Sequence, residues 1–179
     1  MKLIILDRDG VINKDSDGFI KSPDEWEAIP GSLESIARLT RAGHRVVLAT
    51  NQSGIGRGLF DMDSLNAIHD KMRRSLDAHG GRIDAVFYCP HTAEADCACR
   101  KPKPGMFLSI AERFEVELAR EIIAVGDSLR DLEAAAAAGV TPALVLTGKG
   151  AKTRAECGLP EGTLVFDDLA AAVEHILGA

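Results

Sequence analysis

An α/β fold, with a mainly parallel central sheet flanked by helices, is what the sequence predicts, on three observations. Short aliphatic and β-branched runs alternate with helix-patterned segments along the chain. Polar residues crowd the points where those runs end, the edge at which open α/β sheets hold their ligands. Capping residues punctuate the pattern: Ser128 and Asp168 stand where helices begin, and Gly43, Gly80 and Gly139 where helices stop.

In chain order, strands are expected at 2–6, 45–50, 85–88, 122–125, 143–146 and 164–166, and helices at 33–41, 64–78, 106–114, 129–138 and 169–177. The second helix carries Leu65, Ile68, Met72 and Leu76 on one face, the spacing of an amphipathic helix. The alanine run at 134–138 reads as a tightly packed helix. Three segments that follow strands stand apart: the loop at 10–31, the glycine-spaced stretch Gly54, Gly56, Gly58 and the loop at 89–99. The 54–58 stretch matches neither a Walker A nor a complete GxGxxG pattern and is expected only to give loop flexibility around Arg57. At 179 residues the chain fits one domain, 1–179, with no internal repeat.

The 21 Lys and Arg against 27 Asp and Glu leave a net charge of −6, so no overall field draws nucleic acid or an anionic membrane, and neither partner is expected. An anionic substrate must instead meet a local basic cluster. The longest apolar stretches, 3–6 and 134–140, are too short for a membrane span. Only four apolar residues lie between Lys2 and Asp7, too few for a signal-peptide core, which predicts a cytoplasmic protein; a monomer is the default expectation.

The first strand runs into Asp7-Arg8-Asp9-Gly10-Val11, with two carboxylates two residues apart at a strand's carboxyl end. Such anions repel unless a cation or proton lies between them, and an aspartate beside Mg²⁺ can accept a phosphoryl group while its neighbour handles protons. The second strand ends at Thr50-Asn51-Gln52-Ser53, where the Thr50 hydroxyl and nearby N–H groups can hold phosphate oxygens; the fourth ends at Gly126-Asp127-Ser128, which adds a third carboxylate for a hard cation. Arg100-Lys101-Pro102-Lys103 supplies the local positive charge. Taken singly, the aspartates also fit caps or turns, Thr50 a turn, and 100–105 a solvated charge cluster.

Cys89, His91, Cys97 and Cys99 lie within eleven residues and offer three thiolates and an imidazole, a full tetrahedral shell for Zn²⁺ with no position left for chemistry. A structural zinc is the expected reading, with free buried thiols as the alternative. Cys157, far away in sequence, reads as a small packing residue.

Asp7-Arg8-Asp9-Gly10-Val11, Thr50, Lys101 and Gly126-Asp127 together resemble, in order, the four signatures of the haloacid dehalogenase (HAD) superfamily of phosphatases, over nearly the entire chain. The resemblance implies a Rossmann-like fold and an aspartyl-phosphate mechanism: Asp7 as nucleophile, Asp9 as general acid and then base, Thr50 and Lys101 on the phosphoryl group, and Mg²⁺ held by Asp7, the Asp9 carbonyl and Asp127. The Cys/His loop followed directly by Arg100-Lys101-Pro102 is similar to the zinc-loop subgroup that contains heptose 1,7-bisphosphate 7-phosphatases and histidinol-phosphate phosphatases. That subgroup lacks a cap domain, as 10–32 is too short to form one. The pattern looks more like the heptose enzymes, which implies a small sugar bisphosphate substrate contacted by Asn51, Gln52, Ser53 and Arg100, with Arg100 on the sugar phosphate. Histidinol phosphate is the alternative substrate. Some relatives carry lysine after the fourth-motif aspartate, where this chain has Ser128. From a different class, a phospho-acceptor signalling domain also combines strand-end aspartates with Thr and Lys; Asp9, a proton relay for turnover, discriminates against it.

Overall fold

The computed structural model describes residues 2–156 and 158–178. Six strands, β1 (Leu3–Leu6), β2 (Arg45–Asn51), β3 (Ala85–Cys89), β4 (Ile123–Gly126), β5 (Thr141–Val145) and β6 (Leu164–Phe166), form one sheet in the order β3-β2-β1-β4-β5-β6. Every pairing is parallel. Helices α1 (Ser32–Arg41), α2 (Ser53–Gly56), α3 (Met62–His79), α4 (Gly105–Phe114), α5 (Leu129–Ala137), α6 (Gly150–Ala155) and α7 (Leu169–Gly178) complete the chain. Cys157 lies outside the described residues.

Parallel strands covered on both faces must be apolar at every position, and β1 shows it. Ile4 and Leu6 point into one core with Val46 and Leu48, covered by Ile36 and Leu39 of α1, Ile68, Met72 and Leu76 of α3, and Val173 and Ile176 of α7. Leu3 and Ile5 point the other way with Val47 and Ala49, onto Met106, Phe107 and Ile110 of α4 and Ala134 and Ala135 of α5. The expected face of α3 is the buried one; each of its large side chains contributes about 1.5–3 kcal/mol of burial. Of the alanine run, Ala134 and Ala135 are fully buried, whereas Ala136 and Ala137 face solvent, so the helix is tightly packed on one face only.

The boundaries moved for local reasons. α3 starts at Met62 because Asp61, not recognised as a cap, accepts a hydrogen bond from the Ser64 N–H at 2.8 Å. β5 starts at Thr141, across a proline that argues against a strand. The Thr141 N–H points to β4, bonding Ile122 O, so Pro142 faces the other side, where β6 begins only opposite Ala143. The 54–58 stretch is corrected from flexible loop to helical turn: Ser53–Gly56 is helical, and a side chain at Gly54 or Gly56 would strike Phe60 or the Pro90 carbonyl.

Between β1 and α1 the chain makes one 3-10 turn, Pro23–Glu25, and no added domain. Val11, Ile12, Ile20 and Trp26 anchor it in the core. Lys71 pins it from α3, donating to Pro23 O at 2.7 Å and Trp26 O at 2.9 Å. The strand order diverges between β1 and β4, so their carboxyl ends open the crevice in which doubly wound sheets place their ligands.

Candidate active site

Asp7 follows β1 and Asp127 follows β4 on the two sides of that crevice. Asp131, on the first turn of α5, joins them, and one carboxylate oxygen from each lies within 4.8 Å of the others. Behind them the Lys101 ammonium is 2% exposed and contacts Asp131 Oδ1 at 2.6 Å and Asp7 Oδ1 at 3.1 Å, and donates to Ala49 O at 2.6 Å. Burial alone would depress this lysine, but Asp131 and Asp7 outweigh it and hold it above the usual lysine range.

One ammonium does not balance three carboxylates. Burial, only partly offset by Lys101, together with the charges of Asp131 and Asp9, lifts Asp7 to about 6. Burial plus Asp7 and Asp131 lifts Asp127 to about 8. Crowded, electron-rich oxygens that resist ionisation are the donor set a hard dication satisfies, so the residues fit Mg²⁺. The chain presses close to Asp127: Lys149 donates its N–H to Oδ2 at 2.8 Å, the Thr153 hydroxyl donates to the Asp127 carbonyl at 2.8 Å, and Thr147 ties the same segment to Gly10 O. Gly10, at φ 83°, has no room for a Cβ, which would strike the Asp127 carboxylate.

Asp9 sits in a different environment from its neighbour two residues away. Its carboxylate accepts from Arg8 Nε at 3.1 Å and Nη2 at 2.9 Å, from Asn13 Nδ2 at 2.9 Å and from Gln52 Nε2 at 3.0 Å. Burial pushes its pKa up, yet Arg8 and these donors win and hold it below the usual carboxylate range. The two aspartates thus sit in opposite electrostatic environments, Asp7 buried among like charges and Asp9 held by paired donors.

The other expected residues are brought to the same place, with distinct surroundings. Thr50 is buried and its hydroxyl accepts from Gln52 Nε2 at 2.9 Å. Gln52 is buried too, its amide occupied by Asp9, Thr50 and Arg8. Asn51 clamps the backbone of Lys101 in both directions, donating to its carbonyl at 3.0 Å and accepting its N–H at 3.1 Å. Ser53 starts α2, and Arg100 donates to His91 O at 3.3 Å. Asp7, Asp9, Asn51, Gln52, Ser53, Arg100 and Asp127 all line one cavity of about 220 Å³. Its wall also carries Arg57, Arg130 and Lys149, cations that sequence reasoning left out, so an acidic floor faces a basic rim.

Asp131 was also missed. The signal that finds it is the Ser128-x-x-Asp131 spacing of a capping box: Asp131 Oδ2 accepts from the Ser128 N–H at 3.0 Å and the Ser128 hydroxyl at 2.6 Å, leaving Oδ1 for Lys101.

On the cavity's flank, Cys89, His91, Cys97 and Cys99 converge. The Cys99–Cys89 sulfurs are 3.2 Å apart, Cys89–Cys97 and Cys99–Cys97 3.5 Å, and His91 Nδ1 stands 3.5 Å from Cys89 and 3.4 Å from Cys99. Disulfide sulfurs sit at about 2.05 Å. Sulfurs bonded at about 2.3 Å to one tetrahedral ion are under 4 Å apart, so these separations are close to the edges of such a tetrahedron and the four residues fit Zn²⁺.

Known proteins resemble this chain over nearly its full length. A HAD-hydrolase-like family model matches residues 98–172. A D-glycero-beta-D-manno-heptose-1,7-bisphosphate 7-phosphatase of Bordetella bronchiseptica is 66% identical over 99% of this chain and 98% of its own length. The enzyme of that name from Neisseria meningitidis is 54% identical over 99% of this chain and 95% of its own. Among solved structures, the D,D-heptose 1,7-bisphosphate phosphatase of B. bronchiseptica, complexed with magnesium and phosphate, superposes with a TM-score of 0.98 at 65% identity, covering 99% of both chains.

Proposed function

From the chain's membership of the heptose 1,7-bisphosphate 7-phosphatase family of HAD-like hydrolases, we propose that it removes the 7-phosphate of D-glycero-D-manno-heptose 1,7-bisphosphate, leaving heptose 1-phosphate. The names of its relatives favour the β anomer. The observation that carries the reading is the Asp7 carboxylate facing the cavity with Lys101 behind it and Asp127 beside it.

Asp7 attacks the phosphorus, and the bond to the sugar oxygen breaks as the aspartyl phosphate forms. Asp9 gives its proton to that departing oxygen. It then takes a proton from water, whose oxygen attacks the phosphorus and releases phosphate and free Asp7. Lys101 and Thr50 face the phosphoryl oxygens, and Asn51 keeps Lys101 in register by its backbone clamp. Asp7, the Asp9 carbonyl and Asp127 would hold Mg²⁺, which would supply positive charge to offset the repulsion between the phosphate and the Asp7 carboxylate. Arg100, with Arg57 and Arg130 on the same rim, meets the sugar's other phosphate, while Ser53 and the edge of Gln52 face the sugar.

Cys89, His91, Cys97 and Cys99 would hold a structural Zn²⁺, whose closed shell would stiffen the cavity wall next to Arg100. Three reduced thiols fit the cytoplasm, where the protein works as a monomer on a small metabolite. Among the described residues no helix is long and apolar enough to cross a membrane.

Steady-state kinetics on heptose 1,7-bisphosphate and histidinol phosphate test the assignment. The heptose ester should lead in kcat/KM; a tenfold preference for histidinol phosphate, about 1.4 kcal/mol in transition-state stabilisation, would overturn it.

A further inference from the structure

Arg8, between the two catalytic aspartates in sequence, has no exposed surface at all. Burying a guanidinium costs several kcal/mol unless its donors are satisfied, and a fold seldom places one beside a reaction centre for stability alone. Its donors divide three ways. Nε and Nη2 engage Asp9, Nη2 also reaches Gln52 Oε1 at 3.3 Å, and Nη1 meets His69 Nε2 at 3.2 Å. Arginine only donates, so His69 Nε2 accepts and its proton is on Nδ1. Burial and the charge of Arg8 push the His69 pKa down to about 4, in keeping with a neutral ring.

This arrangement makes the two oxygens of Asp9 unequal. Oδ1 takes three donors: Arg8 Nε at 3.1 Å, Arg8 Nη2 at 2.9 Å and Asn13 Nδ2 at 2.9 Å. Oδ2 takes Gln52 Nε2 at 3.0 Å and a longer contact from Arg8 Nη2 at 3.2 Å. The Arg8 contact with Gln52 Oε1 also fixes which end of that amide turns towards Asp9 and Thr50.

We propose that Arg8, braced by His69 from α3, is a positioning residue for Asp9, saturating Oδ1 so that Oδ2 is the oxygen that gives its proton to the leaving group. The proposal rests on the proton-transfer role given to Asp9 above. His69 is the point of attack, because it is only partly buried and touches no reacting atom, whereas replacing Arg8 would strand Asp9.

His69→Leu removes the acceptor and His69→Gln restores one through its Oε1. Each is assayed with heptose 1,7-bisphosphate, whose alkoxide needs a proton to depart, and with p-nitrophenyl phosphate, whose phenolate does not. H69L should lower kcat on the sugar ester about tenfold, a fraction of the full value of a general acid, with KM within about twofold and the aryl ester changed less than about threefold. H69Q should recover sugar turnover to within about threefold of the parent. An equal fall on both esters would reduce His69 to a structural part, and an unchanged sugar rate would overturn the proposal outright. If H69L does not fold, H69A takes its place with the same expected contrast. Should the parent ignore the heptose ester, the substrate assignment fails and any alkyl phosphate it hydrolyses carries the same comparison with the aryl ester.

Discussion

Asp131 joins a helix start to the charge balance of the site, so its removal should be felt twice. Its Oδ2 caps α5 through Ser128, and its Oδ1 lies 2.6 Å from an ammonium that is 2% exposed. Losing a cap costs about 1 kcal/mol. Breaking a buried pair costs about 3–5 kcal/mol, because the surviving charge is stranded. Lys101 keeps Asp7 and the Ala49 carbonyl, which puts the pair at the low end of that range. Asp131→Ala should therefore lose about 3–4 kcal/mol, and Asp131→Asn, which retains size and an acceptor for Ser128, about 1 kcal/mol less. Urea unfolding followed by circular dichroism at neutral pH measures both. For a chain this long the alanine variant should melt about 10 °C lower. Turnover should fall at least about tenfold in both, since Lys101 no longer has its second anchor. A stability loss under about 1 kcal/mol for D131A would place the Lys101–Asp131 contact with ordinary surface pairs and refute the reasoning.

Three further outcomes follow from the same geometry. Asp7→Asn should abolish phosphate release, whereas Asp9→Asn should slow it by about two to four orders of magnitude with the fold intact; normal turnover in D7N would remove the covalent step, and normal turnover in D9N the proton relay. Elemental analysis should find close to one Zn per chain, and Cys97→Ser should lose it together with thermal stability; a metal-free protein of equal stability would refute the zinc loop. Without Mg²⁺, Asp7 and Asp127 have folded pKa values of about 6 and about 8, above their unfolded range. Their contribution is fully present below about pH 4 and is lost as pH rises through those two values. The melting temperature of the Mg²⁺-free protein should thus decline from pH 5 to pH 9 more than that of the Mg²⁺-supplied protein; parallel curves would show that no cation relieves this cluster.

Periodicity and strand-end chemistry carried the reading of the fold and most of the site. Leu65, Ile68, Met72 and Leu76 repeat at helical spacing, and that repeat alone assigns a face. Asp7, Thr50 and Asp127 close three separate strands, so a parallel sheet is bound to deliver them to one edge. Cys89, His91, Cys97 and Cys99 are near enough in sequence for a loop to gather them. The capping spacing of Asp131 is readable in the sequence, but its contact with Lys101 is not, because a cap satisfies a helix and does not announce a partner on another element.

What the sequence determined by itself is therefore local or periodic: strand and helix identity, the carboxyl-end aspartates and the thiol-rich loop, each set by contacts a few residues apart or by the alternation of a buried strand. Tertiary structure alone decided which charges balance which. Lys101 reaches Asp7 and Asp131 across gaps of 94 and 30 positions, and Arg8 finds His69 across 61. Those partnerships exist because desolvated ions must meet opposite charges or hydrogen-bond acceptors wherever packing brings them, and spacing along a chain does not encode that meeting.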